Sequence, residues 1–130
     1  MLTRRSLLIA TALAPAAAAV PAFAASLTTF DANAFADAQK AGKPILIAVH
    51  ATWCPTCKAQ NPILDRLTSA AKFKDLKIFR VDFDAMKPVV KQFGAQMQST
   101  LIVFKGASEQ GRSVGDTKEA SIAALLDKSL

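Results

Sequence analysis

The chain has 130 residues, of which 52% are hydrophobic and 20% charged. That is material for one core, and it excludes a disordered chain. Lys and Arg number 16 against 10 Asp and Glu, a net charge of +6. No tandem repeat is present, which argues against a solenoid. Two cysteines and one histidine are too few for a multi-bridge scaffold, a four-thiolate zinc site or most His-based clusters.

Residues 1–24 read as an export signal. Arg4 and Arg5 precede the apolar Leu7-Leu8-Ile9, and no charge follows before Asp31. Ala22-Phe23-Ala24 is a small-x-small cleavage site, so the expected cut follows Ala24 and leaves residues 25–130 as one domain. The alternative is an uncleaved anchor, because the uncharged run is long enough to span a bilayer. Pro15 and Pro21 interrupt a helix there. Thr3-Arg4-Arg5-Ser6-Leu7-Leu8 partly matches a twin-arginine signal but lacks its aromatic residue and following lysine. Both export routes therefore stand. Export places the cysteines where disulfides persist, and the expected location is the periplasm. Lys72, Lys74, Lys77 and Arg80 lie near one another without an aromatic platform. They read as a solvated face, not as a nucleic-acid groove.

Asp31 is placed to cap a helix from Ala32 to Lys40, ended by Gly42. Pro44 leads into Ile45-Leu46-Ile47-Ala48-Val49, a continuous apolar run that reads as a strand buried on both faces. After a loop, Cys54 opens a helix with Pro55 just inside its start, where proline is tolerated. Ile63, Leu64 and Leu67 give that helix an apolar face, and Pro62 should kink it. Leu76 to Val81 is the next strand. Val89, Val90 and Phe93 mark a short helix closed by Gly94. Leu101 to Phe104 is a third strand, Gly106 to Gly111 is turn material, and Gln110 to Val114 returns as a hairpin partner. Asp116 and Glu119 form a capping pair before a last helix striped by Ile122, Leu125 and Leu126. The implied fold class is α/β: a single domain with a small mixed sheet and helices on both faces.

The chemistry sits in Trp53-Cys54-Pro55-Thr56-Cys57. Cysteines three apart at a helix start lie on one turn, so their sulfurs can meet in a small disulfide ring. Unpaired N–H groups and the helix dipole favour a Cys54 thiolate, the nucleophilic form. Cys57, one turn deeper, should be less exposed and should resolve the mixed disulfide. A structural disulfide is a weaker reading, since so short a loop constrains the unfolded chain only modestly. Zinc would need two more ligands. A Cu(I) site would use both thiolates and Met97, and it anchors the alternative of a metal-binding or chaperone-like module without turnover.

From Lys43 to the C-terminus the chain resembles the thioredoxin-fold family. The matches, in the family's order, are Gly42-Lys43-Pro44, Ala51 through Lys58 around the cysteines, Pro62-Ile63-Leu64, Val81-Asp82-Phe83-Asp84, Phe93-Gly94 and Thr100 through Gly106. The resemblance implies an exported protein-disulfide oxidoreductase with Cys54 as nucleophile and Cys57 as resolver. Trp53, Ser99 and Thr100 would border the substrate. It implies no bound cofactor and no metal, a protein thiol or disulfide as partner, a membrane electron donor or acceptor, and a monomer. The Pro-Thr dipeptide is similar to that of periplasmic thioredoxins of cytochrome c maturation, which are reductants, although the chain lacks their insert. Electron-relay thioredoxin domains compare equally well, and the direction leans to reductase or relay.

Two positions depart from the family. Ser99 stands where the family has a cis-proline, in a loop that faces the cysteines. It is expected trans, or strained if cis, because a non-proline cis bond costs about 3–4 kcal/mol. Its hydroxyl is a candidate partner for the Cys54 thiolate. Ala48 stands where broad reductants carry a buried acid that helps deprotonate the resolving cysteine. Cys57 would then rely on water, Lys58 or His50. Taken singly, His50 reads as an ordinary strand-end residue and Lys58 as a solvated helix lysine.

Overall fold

The computed structural model describes residues 14–18 and 25–130. The expected export signal and its cut after Ala24 lie outside the described residues, apart from 14–18, which form neither helix nor strand.

The elements run β1 (Ser26–Thr29), α1 (Ala32–Lys40), β2 (Pro44–His50), α2 (Pro55–Thr68), a 3-10 turn at Ala71–Phe73, β3 (Lys77–Asp82), α3 (Lys87–Gln92), β4 (Thr100–Lys105), β5 (Ser108–Val114) and α4 (Glu119–Asp127). The strands form one five-stranded sheet in the order β1-β3-β2-β4-β5. β1 and β2 pair parallel to β3, while β4 runs antiparallel to both β2 and β5. The mixed sheet expected from the sequence is therefore present.

β2 is the central strand, and Ile45 through Val49 are all buried. Because strand side chains alternate, Ile45, Ile47 and Val49 face one side and Leu46 and Ala48 the other. The first side packs with Phe35, Phe79, Val90, Phe93 and Phe104 beneath α1 and α3. The second packs with Ile78, Leu101, Val103, Ile122 and Leu126, and Ile63, Leu64 and Leu67 of α2 close over it. Each fully buried aliphatic side chain contributes about 1.5–3 kcal/mol. β2 is thereby fixed between two layers, and its C-terminal end is a rigid base for the residues that follow.

Three expectations are corrected. β1 was not expected: Ser26-Leu27-Thr28-Thr29 is exposed along its length and has no strand-like alternation. Its backbone pairing with β3 makes it a strand, in register from Ser26 with Lys77 to Thr29 with Arg80. The β4–β5 turn is also shorter than expected, because β5 begins at Ser108. Gly106 turns the chain at φ +58°, and a Cβ there would come within 3.3 Å of Gly42 Cα. Finally, Asp116 does not cap α4. The N-cap is Lys118 with no side-chain bond. Asp116 instead accepts from the Lys118 N–H at 2.9 Å and from the Ser121 hydroxyl, while Glu119 pairs with Arg66 across to α2.

Candidate active site

β2 ends at His50, and the chain turns through Thr52-Trp53 into α2. Cys54 is the N-cap of α2, with φ −85° and ψ 110°, and its Sγ accepts from the Cys57 N–H at 3.1 Å. Pro55 occupies the first turn, where its missing N–H costs nothing. Cys54 and Cys57 form a disulfide with Cα atoms 5.3 Å apart, an ordinary separation for such a bridge. The pair thus lies at the positive end of a helix, where an anionic sulfur is favoured.

Cys57 is buried as expected, at 2% exposure, but Cys54 is no more open, at 0%. Burial is not graded along the turn, because Cys54 and Cys57 share one buried cluster with Ala51, against which Phe83 packs. Trp53, next in the chain, is 56% exposed. Its indole N–H donates to Asp84 Oδ2 at 2.6 Å. Asp84 is itself held by the Asp82 carboxylate, which accepts from the Asp84 and Ala85 N–H groups. Asp84 lies in a motif that the sequence made visible, but its bond to Trp53 spans 31 positions and has no local signal.

Ser99 is trans, since no cis peptide bond occurs among the described residues, and its φ is +61°. A non-glycine residue in that left-handed region carries about 1–2 kcal/mol of strain. Its backbone is fully engaged: the N–H donates to Val49 O at 2.8 Å, and the carbonyl accepts from Gly115 N–H at 3.1 Å. The partner expected for its hydroxyl is a Cys54 thiolate, whereas Cys54 here is held in the disulfide. The hydroxyl donates to Gln98 O, its immediate neighbour, because the left-handed backbone brings the two together. Thr100 is 1% exposed and its hydroxyl donates to Met97 O at 2.7 Å. Met97 is exposed. Gln60, which the sequence did not single out, is 3% exposed and donates to Ser99 O at 3.2 Å and Asp116 O at 2.8 Å. It ties α2 to the loop before β4 and to the segment before α4.

Behind Cys57 is a cavity of about 40 Å³, bordered by Ala48, His50, Cys57, Asn61, Asp65 and Arg80 among others. Burial, and after it the Arg80 guanidinium, push the half-buried His50 imidazole below its ordinary 6.5, with Asp82 acting in the opposite sense. Lys58 is exposed on α2 and does not border this cavity. Among the described residues, no three His, Cys, Asp or Glu side chains group as a metal site.

Residues 26–128 match the family model for thioredoxin. The chain is 31% identical over 96 residues to a thioredoxin of Aspergillus fumigatus, covering 73% of this chain and 87% of that protein. It is 40% identical over 100 residues to a protein disulfide-isomerase of Neurospora crassa, covering 75% of this chain and 27% of that longer protein. In structure it resembles Trxlp of Edwardsiella tarda with a TM-score of 0.76 and 38% identity, covering 78% of this chain and 98% of the other. Agreement running through nearly the whole of the sheet and its helices, in sequence and in backbone alike, shows that the chain belongs to the thioredoxin family and is a thiol–disulfide oxidoreductase.

Proposed function

We propose that the protein is exported to the periplasm and there passes two electrons between its Cys54–Cys57 pair and protein partners, working as a reductase or electron relay. Thioredoxins act on protein thiols and disulfides, and the disulfide at the start of α2 supports two-electron exchange, while the export reading rests on Arg4, Arg5 and Ala22-Phe23-Ala24 in the sequence. In the reduced chain the Cys54 thiolate attacks a substrate disulfide, forming a mixed disulfide and releasing one substrate thiolate. Cys57 then attacks Cys54 Sγ. The bond to the substrate breaks, its electron pair leaves with the second substrate sulfur, and the Cys54–Cys57 bridge forms. No bound cofactor is needed, because the bridge itself holds the two electrons' worth of oxidation. Regeneration calls for a donor, and a membrane protein fits an exported relay.

Trp53 offers the docking chain an exposed aromatic face. Ser99 and Thr100 are buried, so they contribute the shape of the loop rather than side-chain surface. The proposed cut after Ala24 would leave β1, which starts at Ser26, intact. A monomer is the proposed working state.

Replacing Cys57 with Ser should trap a covalent complex between Cys54 and its partner, recovered from the periplasmic fraction and released by reductant. The potential of the wild-type pair, equilibrated against thiol buffers, sets direction. A value near the ~−270 mV of thioredoxin supports the reductase, whereas one towards ~−120 mV makes the protein an oxidant and overturns that lean.

A further inference from the structure

Resolution of the mixed disulfide needs a Cys57 thiolate, yet Cys57 is 2% exposed, within the buried cluster of Ala51 and Cys54 that Phe83 packs against. Apolar burial opposes ionisation of a thiol. Its proton therefore needs an acceptor reached from inside the protein.

Residues two apart on a strand face the same side. Ala48 and His50 on β2 therefore both face α2, and both border the cavity behind Cys57. The short Ala48 side chain leaves that space open. At about 40 Å³ it exceeds the ~10–15 Å³ that one water requires. Asn61 and Arg80 supply polar atoms to hold such water.

Three titratable groups face this space. Arg80, on β3, only donates. Asp65 lies two further turns along α2, roughly 12 Å from Cys57 by helical rise, and is exposed. His50 remains. Arg80 and Asp82 of β3 act on its charge in opposite senses, and burial together with Arg80 keeps the ring neutral at pH 7. A neutral imidazole has a free acceptor nitrogen.

We propose that His50 accepts the Cys57 proton across water in this cavity, serving as the base for the resolving step. The Cys57 S–H bond breaks, the proton passes through water to the imidazole, and the thiolate attacks Cys54 Sγ. The released substrate thiolate then draws a proton from the imidazolium or from solvent. This inference goes beyond the two-cysteine reading and assigns a role to the chain's one histidine.

The test uses the reduced protein and an aromatic disulfide whose thiolate absorbs visible light. One equivalent is released when Cys54 attacks and a second when Cys57 resolves. In wild type the second phase should slow as pH falls through the His50 pKa, below 6.5. His50→Gln should slow that phase by about 100-fold, the lower end for general bases, abolish its inflection and leave the first phase unchanged. Added imidazole should restore His50→Ala in part, and Ala48→Asp in the His50→Gln background should restore resolution with a carboxylate in the same cavity. A His50→Gln second phase with the wild-type rate and pH profile would overturn the proposal. Should neither His50 variant fold, a wild-type second phase without an inflection below 6.5 overturns it equally. Absence of the first phase in wild type would count instead against the exchange reading.

Discussion

Gln60 donates its side-chain amide to the Ser99 carbonyl at 3.2 Å, joining the second turn of α2 to the loop that precedes β4. The same nitrogen reaches Asp116 O at 2.8 Å. One buried side chain therefore sets the distance between the cysteine-bearing helix and two loops. Gln60→Leu keeps the volume and removes both donors. It should cost about 1 kcal/mol, because the part-buried Asp116 O loses its donor while Ser99 O keeps the Gly115 N–H. Urea denaturation would measure this, and an unchanged midpoint would show that the loops are held by Gly115 and Val49 alone.

Ser99→Pro should not restore a more stable family-like loop. Proline holds φ near −65°, whereas Ser99 sits at +61° and donates its N–H to Val49 O. The substitution removes that bond and forces the loop to rebuild. The expected loss is roughly 1–3 kcal/mol, read by thermal or urea unfolding. A gain in stability would mean that the Val49–Ser99 bond does not hold the loop.

Trp53 is the chain's one tryptophan, which makes the Trp53–Asp84 bond directly observable. Both residues are exposed, so Asp84→Ala should change stability by less than about 1 kcal/mol. The freed indole should gain mobility, lowering its fluorescence anisotropy. Slower exchange with a protein disulfide should accompany it, because a docking surface held in one orientation binds at lower entropic cost.

His50 also makes stability depend on pH. Its folded pKa lies below its unfolded value of 6.5. Between the two, the unfolded chain binds more protons, so stability falls as pH drops through that window. The contribution is fully present above 6.5. The melting temperature of wild type should therefore decline more between neutral pH and pH 5 than that of His50→Gln. Parallel declines would show that His50 binds its proton equally well in the folded and unfolded chains.

What the sequence determined alone was local or periodic. Asp31 three residues before Ala34, Cys54 three before Cys57 and Pro55 at the helix start are contacts within one turn, and all three take the expected places. The unbroken apolar run from Ile45 to Val49 could be satisfied only with a layer on each face, so the doubly covered strand was legible too. Tertiary structure alone decided the rest. β1 exists because β3 offers it a parallel edge, and its own residues carry no signal. The partners of Gln60 lie 39 and 56 positions away, and Asp84 lies 31 from Trp53. The equal burial of the two cysteines depends on Phe83, which comes from beyond β3. The sequence left water, Lys58 and His50 open as what Cys57 relies on, and the choice of His50 follows from β2, β3 and α2 enclosing one cavity that His50, Cys57 and Arg80 border and Lys58 does not.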